Sequence, residues 1–349
     1  MKKPYWFKSS YIRFKMTKVL FTVISVFQKQ DVARGKVLIT SFGGLGDIIV
    51  RQKLIDLIAE KYGKENIKVL VKNNPEIVTI MGYEVIYFDR NSIKNIFKLV
   101  KFYKKILKYK FETLYLLESM GCTELFFLKN YKFKKIIGYE CEILKNWNGK
   151  YEKILIPTKN EKALDVVYEF ASKIDKDIKK ESLIPDLKVA KREDDYISVG
   201  VGASGKFKVS SPKKLGEFLN YIKHTNPEMK FHLLGNGENE EKYADELKRI
   251  VDLVGKISLN DVIKEIANSK MYIGFDSGLY NLAYSLNKKI IVIVSRKESK
   301  IFHHDSNNIK LVMRNEGTYN SEHINDPVYN NNEMNEIYLE TFSKAYESF

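Results

Sequence analysis

A chain of 349 residues with 44% hydrophobic and 30% charged residues has a globular balance and room for two ordinary domains, which excludes disorder over most of its length. Its two cysteines, Cys122 and Cys141, exclude a disulfide scaffold and match no zinc or redox spacing, so a reduced, cytosolic setting is expected. The formal charge is +15, and its placement matters more than its size.

Residues 1–34 hold eight Lys/Arg against one acid, Asp31, and read as a basic amphipathic extension. Trp6, Phe7, Tyr11 and Phe14, followed by Val19–Phe27, suit an interfacial anchor. That apolar run is about half of the roughly 18 residues a membrane span needs. The charged stretch before it is too long for a signal peptide, and no small-residue cleavage site follows.

From residue 35 strands and helices alternate. Lys36–Phe42 predicts a strand ending in Gly43-Gly44-Leu45-Gly46, and a helix opens near Asp47 with Ile48, Ile49, Leu54, Leu57 and Ile58 at recurring positions. Strands are predicted at 67–71, 84–88, 113–117, 136–138 and 153–156, with helices over about 91–108 and 160–174. Residues 182–195 read as a linker. Strands then recur at 196–201, 230–234, 250–254, 271–275 and 289–294, separated by helices near 213–224, 239–248, 259–268 and 278–286. An Asn-rich stretch from about 316 leads into a helix over 333–348. The fold class expected is α/β: two doubly wound, Rossmann-like domains, 35–185 and 195–315, facing across a cleft, with a C-terminal tail and helix over 316–349. Ligands in such sheets bind at the carboxyl ends of the strands, near the switch point of the strand order.

Four strand ends run into turns rich in Gly, Ser and Asp. In the first, Gly43, Gly44 and Gly46 allow close backbone approach, and Asp47 is either a helix N-cap or a group presented at the cleft. The spacing is neither GxGxxG nor a P-loop. The second, Gly200–Gly205, places Ser204 beside Lys206 and Lys208, a plausible diphosphate cradle. In the third, after Gly235, Glu238 or Glu241 stands where a carboxylate accepts hydrogen bonds from ribose hydroxyls. The fourth, Asp276-Ser277-Gly278-Leu279, opens an apolar helix whose free N–H groups suit an anion. Capping explains Asp or Ser there but not Gly278, which costs about 1 kcal/mol against Ala in a helix.

Taken in order, Gly44-Leu-Gly-Asp47, Gly202-Ala-Ser204 with a downstream Lys and Pro212, Val254-Gly-Lys-Ile-Ser-Leu259, and Asp276-Ser-Gly278 with Leu282-Ala283 resemble glycosyltransferase family 9, the ADP-heptose:lipopolysaccharide heptosyltransferases. The resemblance covers about 36–300 and implies a GT-B fold, an ADP-linked nucleotide-sugar co-substrate with no separate cofactor, and inverting, metal-independent transfer to a lipid-linked saccharide. It implies Asp47 as general base and Lys206 or Lys208 at the phosphates. It also implies Glu238 or Glu241 at the ribose, Val254, Gly255 and Lys256 facing the adenine, and Asp276, Ser277, Gly278 and Leu279 holding diphosphate and sugar. Two departures stand out: Asn281 replaces the family's usual His, and Val209-Ser-Ser-Pro212 replaces a Lys-x-Trp-Pro string. Asn donates a hydrogen bond to a phosphate without carrying charge.

A second basic block, Arg90 to Lys110, has eight basic residues and no acid. It reads either as a helix with a solvated face or as a surface for phosphorylated glycolipid or an anionic membrane, which makes the expected location cytoplasmic and peripheral on the inner face. Two other classes compete. An NAD(P)-dependent oxidoreductase predicts GxGxxG and an acid about 20 residues on, where Val69-Leu-Val-Lys72 stands instead. A nucleic-acid-binding protein predicts stacking aromatics interleaved with basic residues, yet the aromatics fall mostly in expected cores. His232, His303 and His304 receive no role.

Overall fold

The β-branched and aromatic runs of the first half become one parallel sheet. The computed structural model describes residues 36–89, 95–118, 133–140, 142–145, 151–157, 163–203, 208–235, 238–251, 253–255, 257–294, 306–313 and 333–349. Strands β1 (Val37–Ser41), β2 (Ile67–Val71), β3 (Val85–Tyr87), β4 (Thr113–Leu116), β5 (Lys135–Tyr139) and β6 (Glu152–Ile156) lie in the order β3-β2-β1-β4-β5-β6. Helices α1 (Leu45–Val50), α2 (Gln52–Tyr62), α3 (Pro75–Ile80), α4 (Ile96–Leu107), α5 (Glu142–Lys145) and α6 (Ala163–Ala171) connect or follow them. Every residue of β1, β2 and β4 is buried, the pattern of a sheet covered on both faces. One face packs Leu38, Leu70 and Leu114 with Phe102 and Ile106 of α4. Elsewhere Tyr115 and Tyr139 meet the Phe170 ring of α6, with centroids 6.3 and 5.0 Å away.

The second sheet repeats the plan. Strands β7 (Asp194–Gly200), β8 (Lys230–Leu234), β9 (Leu253–Gly255), β10 (Ser269–Phe275), β11 (Lys289–Val294) and β12 (Ile309–Met313) run parallel in the order β12-β11-β10-β7-β8-β9. Renumbered from its own first strand, each sheet reads 3-2-1-4-5-6 across, so its switch point lies between β1 and β4 or between β7 and β10. Helices α7 (Pro212–Thr225), α8 (Glu238–Leu247), α9 (Leu259–Asn268), α10 (Gly278–Ser285) and α11 (Leu339–Glu347) belong with it. Pro212 is the first residue of α7, and Ser211 caps it by accepting from the Lys214 N–H. The C-terminal helix is part of this core: Phe342 stacks on Phe218 with ring centroids 4.4 Å apart. By its contacts the chain divides into two compact units, Met1–Lys159 with Val166–Leu183, and Asn160–Asp165 with Ile184–Phe349.

Several elements differ from the sequence reading. The helix after Gly46 is broken at Arg51 into α1 and α2. Helix α3 and the edge strand β12 are additions. The strand expected over 250–254 shrinks to β9, because the N–H groups of Ile250 and Val251 turn back to the Leu247 carbonyl and close off α8. Helix α4 starts at Ile96, where the Asn95 side chain accepts from the N–H groups of Phe97 and Lys98. Residues 1–34 with their expected anchor, both cysteines, His303, His304 and 316–332 lie outside the described residues.

Candidate functional sites at the two switch points

The first switch point places the glycine turn after β1 beside the residue that follows β4. Gly44 is the N-cap of α1, so Asp47 is its third residue rather than the cap itself. The Asp47 carboxylate turns back and accepts the Gly44 N–H at 2.8 Å, satisfying one of the helix's orphan donors while remaining exposed. Gly43 is obligatory here, since a Cβ would lie 2.5 Å from the Asp47 side chain. The turn is held from the far side of the switch point. Glu118 accepts the Gly43 N–H at 2.7 Å and a guanidinium N–H of Arg51 at 2.6 Å. Asn73, after β2, donates to the Phe42 and Gly43 carbonyls at 3.3 and 3.2 Å. The Tyr139 phenol is pushed up by burial, and Arg51 pulls it part of the way back.

Across the second switch point, Lys208 Nζ lies 2.7 Å from Asp276 Oδ2. Asp276 is only 6% exposed, so this pair is largely removed from water. Ser277 is the N-cap of α10, yet its hydroxyl makes no capping hydrogen bond. Gly278 and Leu279 begin the helix, and the N–H groups of its first turn have no intrahelical partner by geometry. Asn281 is buried and donates from Nδ2 to the Ser277 carbonyl at 3.0 Å, bracing the turn from within the helix. Behind this turn stands Tyr272 of β10, wholly buried. Gly274 and Gly200 face each other in register on β10 and β7. A Cβ on either would meet the Tyr272 hydroxyl, at 2.5 and 2.1 Å respectively. The two glycines therefore let the phenol lie along the sheet toward its carboxyl end.

Glu238 begins α8, and Glu241 lies exposed on that helix. Val254 and Gly255 belong to β9. Ser204, Lys206 and Lys256 lie outside the described residues. Ser258, within the third motif, is the N-cap of α9. His232 bonds Glu265 at 2.7 Å and stacks on Tyr196, a structural placement on the sheet. Among the described residues no group of His, Cys, Asp and Glu is arranged to hold a metal ion. The first unit also contains a cavity of about 470 Å³ lined by Lys53, Asp56, Glu60, Lys64 and Tyr83, none singled out from the sequence.

The sequence model of glycosyltransferase family 9 (heptosyltransferase) matches residues 160–330. The chain carries a glycosyltransferase family 9 domain. That stretch spans the second-unit positions from Ser204 to Asn281 and excludes the Asp47 turn. No curated protein matches the chain by sequence. Solved structures similar to the whole chain carry the same fold, of the GT-B class. The glycosyl transferase family 9 protein from Veillonella parvula is 13% identical, with 92% of this chain and 98% of that one covered and a TM-score of 0.66. The E. coli heptosyltransferase WaaC, solved with ADP, is 14% identical over 89% and 97%, with a TM-score of 0.64. The E. coli ADP-heptose LPS heptosyltransferase II is 16% identical over 89% and 98%, with a TM-score of 0.62.

Glu118, Arg51, Asn73 and Tyr272 escape the sequence reading. One signal pointed to Glu118: it is an acid just after an apolar strand, and in a 3-2-1-4-5-6 sheet that strand neighbours the glycine turn. For Tyr272 the signal was a pair of glycines at or next to the ends of two neighbouring strands, which leaves room for a bulky neighbour between them.

Proposed function

We propose that this glycosyltransferase moves a heptose or related hexose from an ADP-linked donor to a lipopolysaccharide or other glycan acceptor, with inversion and without a metal ion. The observation that carries the reading is the pair formed by half-buried Lys208 and buried Asp276 at the head of α10, inside the stretch that matches family 9. The amine and the free N–H groups of that turn suit a diphosphate, and the Asp276 carboxylate suits sugar hydroxyls. WaaC was solved with ADP, which supports the same donor class here.

In this mechanism an acceptor hydroxyl attacks the anomeric carbon while Asp47 takes its proton, a contribution of typically 10²–10⁴ in rate. The bond from that carbon to the diphosphate oxygen breaks, and the nucleoside diphosphate departs with the electron pair. Lys208 and the first turn of α10 meet its developing charge. Asp47 is exposed and, among the described residues, its carboxylate bonds only its own helix turn, which leaves an oxygen available to an acceptor.

The acceptor reading extends to a membrane surface. Helix α4 buries Phe102 and Ile106 and turns Phe97, Lys98, Lys101, Lys105 and Lys108 outward, with Phe97 83% exposed. Such a face suits anionic lipid or phosphorylated glycolipid, with the enzyme peripheral on the cytoplasmic side. No described helix is long and apolar enough to cross a membrane.

A donor screen tests the reading: nucleotide diphosphate release from ADP- and UDP-sugars, with and without a glycolipid extract. Acceptor-dependent release from an ADP-sugar is expected. Binding of NAD or an oligonucleotide in preference to ADP contradicts the reading and favours the oxidoreductase or nucleic-acid class.

A further inference from the structure

Two buried hydroxyls lie unmatched near the turn that opens α10. Among the described residues, neither the Tyr272 phenol nor the Ser277 hydroxyl has a hydrogen-bond partner, and both oxygens are shut off from solvent. A buried hydroxyl left unmatched is a standing penalty, and in a native fold it calls for an explanation. Capping does not supply one, because Ser277 leaves the N–H groups of α10 untouched. Nor is the phenol there to fill space. Phe would fill the same volume without burying an oxygen, and two facing glycines are required to let that oxygen through. The two side chains influence one another: burial pushes the Tyr272 phenol up, the Ser277 hydroxyl works against that rise, and Asp276 adds to it.

We infer that Tyr272 is a positioning residue of the donor site, whose phenol donates to the Ser277 hydroxyl so that Ser277 directs its own hydrogen at an anionic oxygen bound at the N-terminus of α10. A serine hydroxyl has one hydrogen to give and lone pairs that accept. Once that hydrogen is committed to a phosphate oxygen, the lone pairs face Tyr272, and both orphan groups are satisfied together. Because the Ser277 oxygen is shielded from water in the free protein, its side chain turns toward the ligand as the ligand completes this hydrogen-bond chain. The inference rests on the reading of this turn as a diphosphate site.

The test uses the full chain and two probes, ADP and inorganic pyrophosphate, with Kd from calorimetry and Tm from thermal melts. Tyr272→Phe is expected to keep or raise the Tm of the free protein while weakening both probes about five-fold, what one hydrogen bond between neutral groups is worth. Ser277→Ala is expected to weaken them at least as much, and Tyr272→Phe added to it should cost nothing further. A Tyr272→Phe protein that binds both probes as the wild type does, or a double variant whose losses simply add, overturns the relay. If the wild type binds neither probe, the diphosphate reading falls, and the relay falls with it. Pyrophosphate binding without ADP binding, still weakened by Tyr272→Phe, keeps the relay and removes only the nucleoside.

Discussion

Arg51 and Glu118 are 67 positions apart in sequence, yet their side chains meet at 2.6 Å across the first switch point. Arg51 marks the break between α1 and α2, and Glu118 follows β4, so the bond ties the far end of α1 to the sheet. The same Glu118 oxygen accepts the Gly43 N–H, which fixes the turn ahead of Asp47 as well. Glu118→Gln replaces a charge-assisted pair with a neutral one and leaves a mostly buried guanidinium uncompensated. A loss of about 1–3 kcal/mol in stability is expected from urea melts. Acceptor-dependent turnover should fall while donor affinity holds, because the donor-side residues belong to the other unit. Unchanged turnover removes Glu118 from a positioning role.

Gly200→Ala tests the close packing beneath the donor turn. The three nearest atoms to the added Cβ all belong to Tyr272, the closest at 2.1 Å. Overpacking of this kind costs about 1–3 kcal/mol, and denaturant unfolding should register it. Combining it with Tyr272→Val should recover part of the loss; a double variant worse than the sum of its parts contradicts the packing account.

The fold was largely legible because parallel strands buried on both faces write themselves as apolar runs. Ile67–Val71, Lys230–Leu234 and Lys289–Val294 are strands over the very ranges read from sequence. The exceptions have local causes. Ile309–Met313 is an edge strand just ahead of an Asn-rich stretch, and α3 has only six residues, too few to show periodicity. Of the site, turns could be read and partners could not. Gly43 and Asp276 sit within motifs, whereas Glu118 and Tyr272 acquire meaning only when the strand order sets them beside Gly43 and Gly200. Asp47 was legible as a helix-start residue, though its place one turn inside was not, because glycine at the cap leaves no side-chain signature.

A pH experiment reaches the far side of the first sheet. Lys68 is buried, and its amine is met by Glu84, which also accepts the Tyr109 hydroxyl at 2.7 Å. Burial works to raise the Glu84 carboxyl, but the hydrogen bonds from Lys68 and Tyr109 and the nearby charges outweigh it, so the net direction is down. A carboxyl lowered on folding contributes stability above its unfolded pKa, and that contribution is lost as pH falls through the folded value. The Tyr109 phenol is pushed up to about 12 by burial and by Glu84, so its contribution holds below about pH 10 and fades toward 12. Glu84→Gln should therefore flatten the Tm profile at both edges and lower the plateau; an unchanged profile contradicts the pairing.

Helix α4 can be tested with vesicles. Lys98→Glu, Lys101→Glu and Lys105→Glu together reverse the sign of its outward face without touching buried Phe102 or Ile106. Co-sedimentation with vesicles rich in anionic lipid should drop several-fold at physiological salt, each charge near such a surface being worth about 1 kcal/mol. Binding equal to wild type places the membrane contact elsewhere.

Asp47→Asn is the most direct measurement of the mechanism, since it keeps the shape of the α1 turn and removes the base. With an ADP-sugar donor and a glycolipid acceptor, acceptor-dependent ADP release should fall by about 10²–10⁴, while calorimetry returns the wild-type affinity for ADP. Release at the wild-type rate with the carboxylate gone would contradict the account.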